Sequence, residues 1–290
     1  MIFNKVALLG LPRKGNSFKQ TISRLIKFLQ QQGCEVLVED RIAKVYHLTD
    51  VTSMPVDELG KSTDLAIVVG GDGSMLGATR VLSRYKVPVI GVNRGHLGFL
   101  TDLKPAKFED DLSEVLRGNY IAEQRPLLDV SVMEDGIILE THQALNEAVV
   151  HPYKIAHMIE FEVYIDDSFM NSQKADGIII CSPTGSTAYA LSAGGPIMTP
   201  DIEAFCLIPM FPHTLSNRPI VISNDHRVTI DFLGDEGSEV AIDGQITVTV
   251  TPHQKIQISK SAVHLTLIHL KNYSYYYVLR EKLGWGTKLF

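Results

Sequence analysis

The chain is 290 residues long, 45% hydrophobic and 21% charged, an ordinary globular composition sufficient for one large domain or two smaller ones. A formal charge of −6 with no run of Lys and Arg argues against a nucleic-acid surface. Cys34, Cys181 and Cys206 are too scattered for a disulfide framework or a metal pair, and no apolar run is long enough to span a membrane, so a cytoplasmic location with no membrane partner is expected.

In chain order, Ile2 to Gly10 reads as a strand, and Ser17 to Gln20 as a capping box opening a helix that carries Ile22, Leu25, Ile26 and Leu29. Cys34 to Glu39 reads as a strand and Val56 to Leu59 as a short helix. Leu65 to Val69 reads as a buried strand, Met75 to Tyr85 as a helix and Pro88 to Asn93 as a further strand. Strands alternating with helices predict a parallel sheet, whose ligands bind at the strands' carboxyl ends. Gly10, Gly70 and Asn93 lie at such ends. Helix 106–117 follows, and then the pattern changes to period two. Residues 158–166, 228–232 and 246–250 alternate apolar with polar, which predicts a β-rich sandwich-like half. The expected division is an α/β nucleotide-binding domain over residues 1–100, helix 106–117 as a connection, and a β-rich domain over 119–270. The aromatic tail 271–290 is expected to return onto the first domain or to pack on a subunit neighbour.

Residues 70–73, Gly-Gly-Asp-Gly, are the densest motif. A strand, a glycine turn and a helix start form an anion-binding corner, since the first N–H groups of the helix have no internal partner. Asp72 is anomalous there, because a carboxylate repels phosphate unless it serves as a base or holds a metal; as a plain helix cap it would need neither role. Residues 10–17 approach a P-loop, but Asn16 stands where the phosphate-binding lysine belongs, and Arg13 and Lys14 are left as candidate phosphate contacts. Gly91, Gly95 and Gly98 do not have the spacing of the dinucleotide fingerprint.

In the second half, Asn146-Glu147 places a polar pair in an apolar strand, which is expensive to bury unless both are partnered. Lys174, Asp176 and Gly177 lead into an apolar run, and Ser182 to Gly195 is rich in hydroxyls and glycines, suited to close approach by a polyhydroxylated ligand. Gly185-Ser186 lacks the spacing of a nucleophile elbow, and the ten histidines show no zinc pattern, so no protein-held metal is expected.

Gly70-Gly-Asp-Gly73, Asn93 to Leu100, Asn146-Glu147, Asp176-Gly177, Pro183 to Tyr189 and Leu283-Gly-Trp285 together resemble the bacterial NAD kinases over essentially the whole chain. At the glycine corner alone, lipid kinases and 6-phosphofructokinases look similar. The resemblance implies phosphoryl transfer from ATP, with a divalent metal such as Mg²⁺ arriving with it, to the 2′-hydroxyl of NAD's adenosine ribose. It implies Asp72 as general base and Gly71, Gly73 and Arg13 as phosphate candidates. Asn146 and Glu147 would bind the adenosine side, and Asp176 the nicotinamide or its ribose. Thr187, Ala188, Tyr189, Ala190, Leu191 and Ser192 would line the NAD pocket, with His157, Lys174 and Gln245 as further contacts. Lys174 departs from the arginine of close relatives, which leaves the choice between NAD and NADH open. The resemblance also implies a homo-oligomer, a dimer or tetramer. The alternatives are a lipid or sugar kinase sharing the corner, or a non-catalytic NAD-binding regulator that would not need Asp72.

Overall fold

A computed structural model describes residues 2–12, 16–95, 98–154, 157–214, 216–234 and 237–285. Arg13 and Lys14, with residues 286–290 of the tail, lie outside the described residues. By contacts the chain divides into one unit of residues 1–124 and 264–290 and another of 125–263.

The first unit opens with β1 (Lys5–Gly10), α1 (Asn16–Gln31), β2 (Glu35–Glu39), α2 (Asp40–Tyr46), β3 (Thr52–Met54), α3 (Val56–Ser62), β4 (Leu65–Gly70), α4 (Asp72–Leu82), β5 (Val89–Asn93) and α5 (Phe108–Leu116). The chain continues through β6 (Tyr120–Glu134), β7 (Ile137–Ala144), β8 (Glu147–Pro152), β9 (Ile159–Ile165), β10 (Ser168–Ala175) and β11 (Gly177–Cys181). After α6 (Tyr189–Ser192) come β12 (Ala204–Met210), β13 (Ile220–Ser223), β14 (Val228–Phe232), β15 (Ser238–Ile242), β16 (Ile246–Val250), β17 (Lys255–Leu270) and α7 (Tyr275–Leu283).

In the first unit the strands run in the order β3-β2-β1-β4-β5, all parallel, with the end of β17 joining β5 at Leu267 opposite Val89. The core unites strand residues such as Val6, Leu8, Ile67 and Val69 with Ile22, Leu25 and Leu29 of α1 and Phe108, Leu112 and Val115 of α5, the helical stripes expected from their spacing. Three local expectations need correction. Helix α1 begins at Asn16, so Ser17 lies inside it, and its Oγ accepts from Arg94. Residues 40–46 form a helix where none was expected, its C-terminus closed by His47 in the left-handed region at φ 51°. Helix α4 begins at Asp72 rather than beyond it.

The second unit holds two sheets. One contains β10, β9, β14 and β17, with β6 and β7; the other is ordered β13-β12-β11-β8-β15-β16. Their facing sides share a core including Leu128, Val150, Phe161, Val163, Ile178, Ile180, Phe205, Ile230, Val240 and Ile256. The opposite side of the second sheet is buried as well: Val149, Ile179, Cys181, Cys206 and Ile208 pack with Ala190 of α6 and Met198. Two buried faces explain why β11 reads as an unbroken apolar run, whereas β14 alternates.

Candidate functional site

The order β3-β2-β1-β4-β5 reverses direction between β1 and β4, because the chain leaves β1 toward one edge and β4 toward the other. Such a switch point is where open α/β sheets bind ligands. Gly10 ends β1 opposite Val69, and Gly70 ends β4 opposite Asn93 of β5. The glycine corner therefore stands on the switch point, with the N-terminus of α4 directly behind it.

The glycines of that corner have different reasons to be there. A Cβ on Gly70 would lie 2.2 Å from Ser74 Oγ, so the fold itself demands glycine. At Gly71 and Gly73 a Cβ would meet no described atom within 4 Å. Among the described residues their bareness answers no packing need, and it leaves space against the start of α4.

Asp72 is the first helical residue, with Gly71 as the N-cap. Its carboxylate does not act as a plain cap. Oδ2 accepts the Phe99 N–H at 3.0 Å, and Oδ1 accepts the Leu100 N–H at 3.1 Å. Each oxygen keeps a further lone pair. Gly98 permits this grip, since a Cβ there would fall 2.2 Å from Asp72 Oδ1. The 98–103 segment is tied to β5 by bonds from the Leu103 N–H to Gly91 O and from the Asn93 N–H to Leu103 O. The partners of Asp72 had no sequence signal, because backbone N–H groups carry no residue identity.

In the second unit, Asn146 and Glu147 sit where β7 gives way to β8, at a bend rather than within one strand as expected. Asp243 organises that bend. Its Oδ2 accepts from the Leu145 N–H at 2.9 Å, and its Oδ1 from the N–H groups of Asn146 and Glu147 at 2.8 and 3.2 Å. Asp243 itself adopts φ 50° in the turn between β15 and β16, next to Gly244 and Gln245. Asp243-Gly244 is a typical turn dipeptide, and that was the only signal for it in the sequence.

Glu147 is buried, and its Oε2 has no hydrogen-bond partner among the described residues. Burial away from water, reinforced by the Asp243 charge, pushes its carboxyl up to about 8. At neutral pH it is therefore a protonated donor.

The hydroxyl-rich loop differs from expectation. Ser182 and Ser186 are fully buried and bond the chain itself, because a buried hydroxyl must find a partner. Ser182 Oγ donates to Leu145 O and accepts the Gly185 N–H, while Ser186 Oγ donates to Pro183 O and accepts the Met198 N–H. A Cβ on Gly185 would lie 2.1 Å from Asn146 O, so this loop and the Asn146-Glu147 bend are packed backbone to backbone. Thr184 Oγ1 accepts from Nη1 of the buried Arg125, a residue the sequence had not marked.

The other expected residues fall as follows. Thr187 closes a 3-10 turn, Ala188 follows it, and Tyr189, Ala190, Leu191 and Ser192 are helix α6. Ala190 is fully buried in the core, whereas Tyr189 and Ser192 face a cavity of about 390 Å³ that also contacts Met210, Phe211 and Arg218. Asp176, exposed between β10 and β11, donates its N–H to Met210 O, beside that cavity's wall. His157 is exposed ahead of β9, and Lys174 on β10 pairs with Glu160 of β9.

Comparison with known proteins gives a consistent picture. The ATP-NAD kinase N-terminal domain model matches residues 6–120, and the ATP-NAD kinase C-terminal domain model matches residues 145–270. The chain is 53% identical to NAD kinase of Aeromonas salmonicida over 291 residues, covering 99% of each. It is 54% identical to NAD kinase of Tolumonas auensis, again over 99% of each. Among solved structures, yeast NADH kinase complexed with NADH superposes with a TM-score of 0.91 at 22% identity, covering 100% of this chain and 90% of that one. An NAD kinase from Archaeoglobus fulgidus in complex with ATP gives 0.74 at 26% identity, covering 96% and 99%. The α/β unit with its parallel sheet and the mostly antiparallel β unit are thus shared with these enzymes. With both domain models and whole-length relatives in agreement, the chain belongs to the NAD kinase family.

Proposed function

We propose that this chain transfers the γ-phosphoryl group of ATP to the 2′-hydroxyl of the adenosine ribose of NAD, with Asp72 as the general base. The observation that carries the reading is the Asp72 carboxylate, gripped by two backbone N–H groups at a helix start beside glycines whose bareness the fold does not require. A ribose hydroxyl is a weak nucleophile at neutral pH, and a carboxylate fixed within reach takes its proton as it attacks. The new bond joins the ribose 2′-oxygen to phosphorus, the bond from phosphorus to the bridging oxygen of ADP breaks, and the proton passes to Asp72.

Gly71 and Gly73, bare of side chains at the start of α4, leave room for phosphate oxygens, and Arg13 is a further candidate. Among the described residues no group of three or more His, Cys, Asp or Glu is arranged to hold a metal. In this reading the divalent ion arrives with the substrate, as the metal complex of ATP, where it would offset charge on the phosphates. Asn146 and the protonated Glu147 offer an amide and a carboxyl donor suited to the ring nitrogens and hydroxyls of an adenosine. Asp176 and Gln245, with Thr187, Ala188, Tyr189, Leu191 and Ser192, are candidates for the rest of the dinucleotide, as are His157 and Lys174. Ala190, fully buried, serves by packing. Among the described residues no helix is long and apolar enough to cross a membrane; the three cysteines are free thiols, the state a reducing cytoplasm would maintain. A homo-oligomer rests on the family resemblance.

The lipid- or sugar-kinase reading and the regulator reading have no comparable support. The test is to incubate the protein with MgATP and, separately, NAD, NADH, diacylglycerol and fructose 6-phosphate. NADP is the expected product, and its absence from a folded sample rejects the proposal. Asp72→Asn is expected to lower kcat by at least about a hundredfold while NAD affinity stays within about threefold. An equal loss of affinity would make Asp72 a ligand contact instead of a base.

A further inference from the structure

His269 is buried in the first unit, 1% exposed, between two carboxylates. Its Nδ1 lies 2.6 Å from Asp102 Oδ2, and its Nε2 lies 2.9 Å from Glu123 Oε2. Ionised carboxylates only accept, so a neutral imidazole could satisfy one of them and would turn a lone pair toward the other. The imidazolium donates to both. Although burial opposes that charge, the bonds to Asp102 and Glu123 outweigh it and hold His269 above the ordinary imidazole range. The Tyr273 ring stacks on the imidazole with centroids 3.7 Å apart.

Asp102 is only two residues beyond Leu100, whose N–H holds Asp72 Oδ1. The segment is laid down in sequence: Phe99 and Leu100 grip Asp72, Thr101 is fully buried, Asp102 meets His269, and Leu103 bonds Gly91 and Asn93. The C-terminal part of the chain reaches this segment through α7 as well, where the Phe99 ring meets the Tyr275 ring at 6.4 Å and Lys282 Nζ lies 5.7 Å from its centroid. Strand β17 pairs with β5 at Leu267, two residues before His269, so the imidazolium projects from a paired strand.

We propose that His269 is a positioning residue for the reaction: by anchoring Asp102 it fixes the 98–103 segment whose N–H groups aim the Asp72 carboxylate. The proposal rests on the reading of Asp72 as the base. A misplacement of even an ångström at a proton-transfer group costs roughly a hundredfold in rate, so a post that never touches substrate can govern kcat.

The experiment compares Asp102→Ala, His269→Phe, Asp102→Asn and Glu123→Ala in the full chain. Asp102→Ala removes the anchor and leaves the His269–Glu123 pair; it is expected to lower kcat by about ten- to a hundredfold with KM for NAD and ATP within about twofold. Asp102→Asn keeps an acceptor for the His269 N–H and is expected to recover kcat to within about threefold of the parent. Glu123→Ala leaves the Asp102 bond intact, so it lowers the melting temperature while kcat falls by less than about threefold. His269→Phe should resemble Asp102→Ala, and where it does not fold Asp102→Ala decides. Hydrogen exchange of the Phe99 and Leu100 amides should quicken in Asp102→Ala and not in Asp102→Asn. Unchanged kcat in Asp102→Ala, an equal loss in Glu123→Ala, or unchanged exchange at Phe99 and Leu100 would overturn the proposal. Quickened exchange in Asp102→Ala, with Asp72→Asn fully active, would uphold the anchor and reject the base it was thought to serve.

Discussion

The two units each turn on one carboxyl group, and they treat it in opposite ways. Asp72 is half-buried, and both of its oxygens accept backbone N–H groups from a neighbouring segment. Glu147 is buried with an oxygen that meets no described donor, and its proton is held up to about 8. The same functional group thus accepts backbone hydrogen bonds at one site and holds its proton at the other. Two backbone N–H donors aim the oxygens of Asp72, whereas desolvation and then the Asp243 charge raise the carboxyl of Glu147.

The largest expected effect breaks the comparison at its second half. Asp243→Ala leaves the N–H groups of Leu145, Asn146 and Glu147 without their common acceptor. Loss of a buried charged acceptor of this kind costs about 3–5 kcal/mol. Urea unfolding measures it, and a cost under about 1 kcal/mol would mean that the bend does not depend on Asp243. Asp243→Asn keeps one acceptor oxygen and should recover part of the loss.

Next in size is Gly98→Ala. The new Cβ would crowd both the Asp72 carboxylate, which can yield by rotating off its two donors, and the buried Thr101 hydroxyl at 2.5 Å. The expected result is kcat lower by about tenfold or more, with a modest fall in melting temperature from the Thr101 contact. A large loss of stability with kcat unchanged would show that the carboxylate's exact seat is unimportant.

The smallest effect sharpens the contrast through pH. The proton on Glu147 is bound more tightly in the folded than in the unfolded chain, so its stabilising contribution is complete below the ordinary carboxylate range. It is lost progressively as pH rises from there toward about 8. Glu147→Gln, which mimics the protonated carboxyl, should therefore gain stability relative to the parent as pH rises from about 5 to 8. Melting curves at several pH values test this, and a difference that does not vary with pH would show that Glu147 is ionised in the folded protein. His269 also favours the fold at lower pH through its partners Asp102 and Glu123, with Asp111 and Lys107 beyond Asp102, but that slope is common to parent and variant and cancels.

Much of this architecture was legible from periodicity alone. The apolar stripes of α1 and α5, the alternation in β9, β14 and β16, and the strand–glycine–helix corner at residues 65–77 are local patterns, and local patterns survive reading one residue at a time. Helix α2 and the position of Asn146 at a bend were missed for a related reason. Residues 40–46 follow β2 with no glycine or proline to mark the change from strand to helix, and the Asn146-Glu147 bend is stabilised by Asp243 from outside its own neighbourhood.

The sequence by itself determined which chemical groups exist: a carboxylate among glycines, a polar pair beside apolar strands, and the order of strands and helices that makes the sheet parallel. Tertiary structure alone decided what each group can do. The donors to Asp72 come from 27 and 28 residues away, and the acceptor for the Asn146-Glu147 bend from 96 to 98 residues away. Proton affinity and aim are set by such non-local neighbours and by exclusion of water, and neither is encoded in the spacing of residues along the chain.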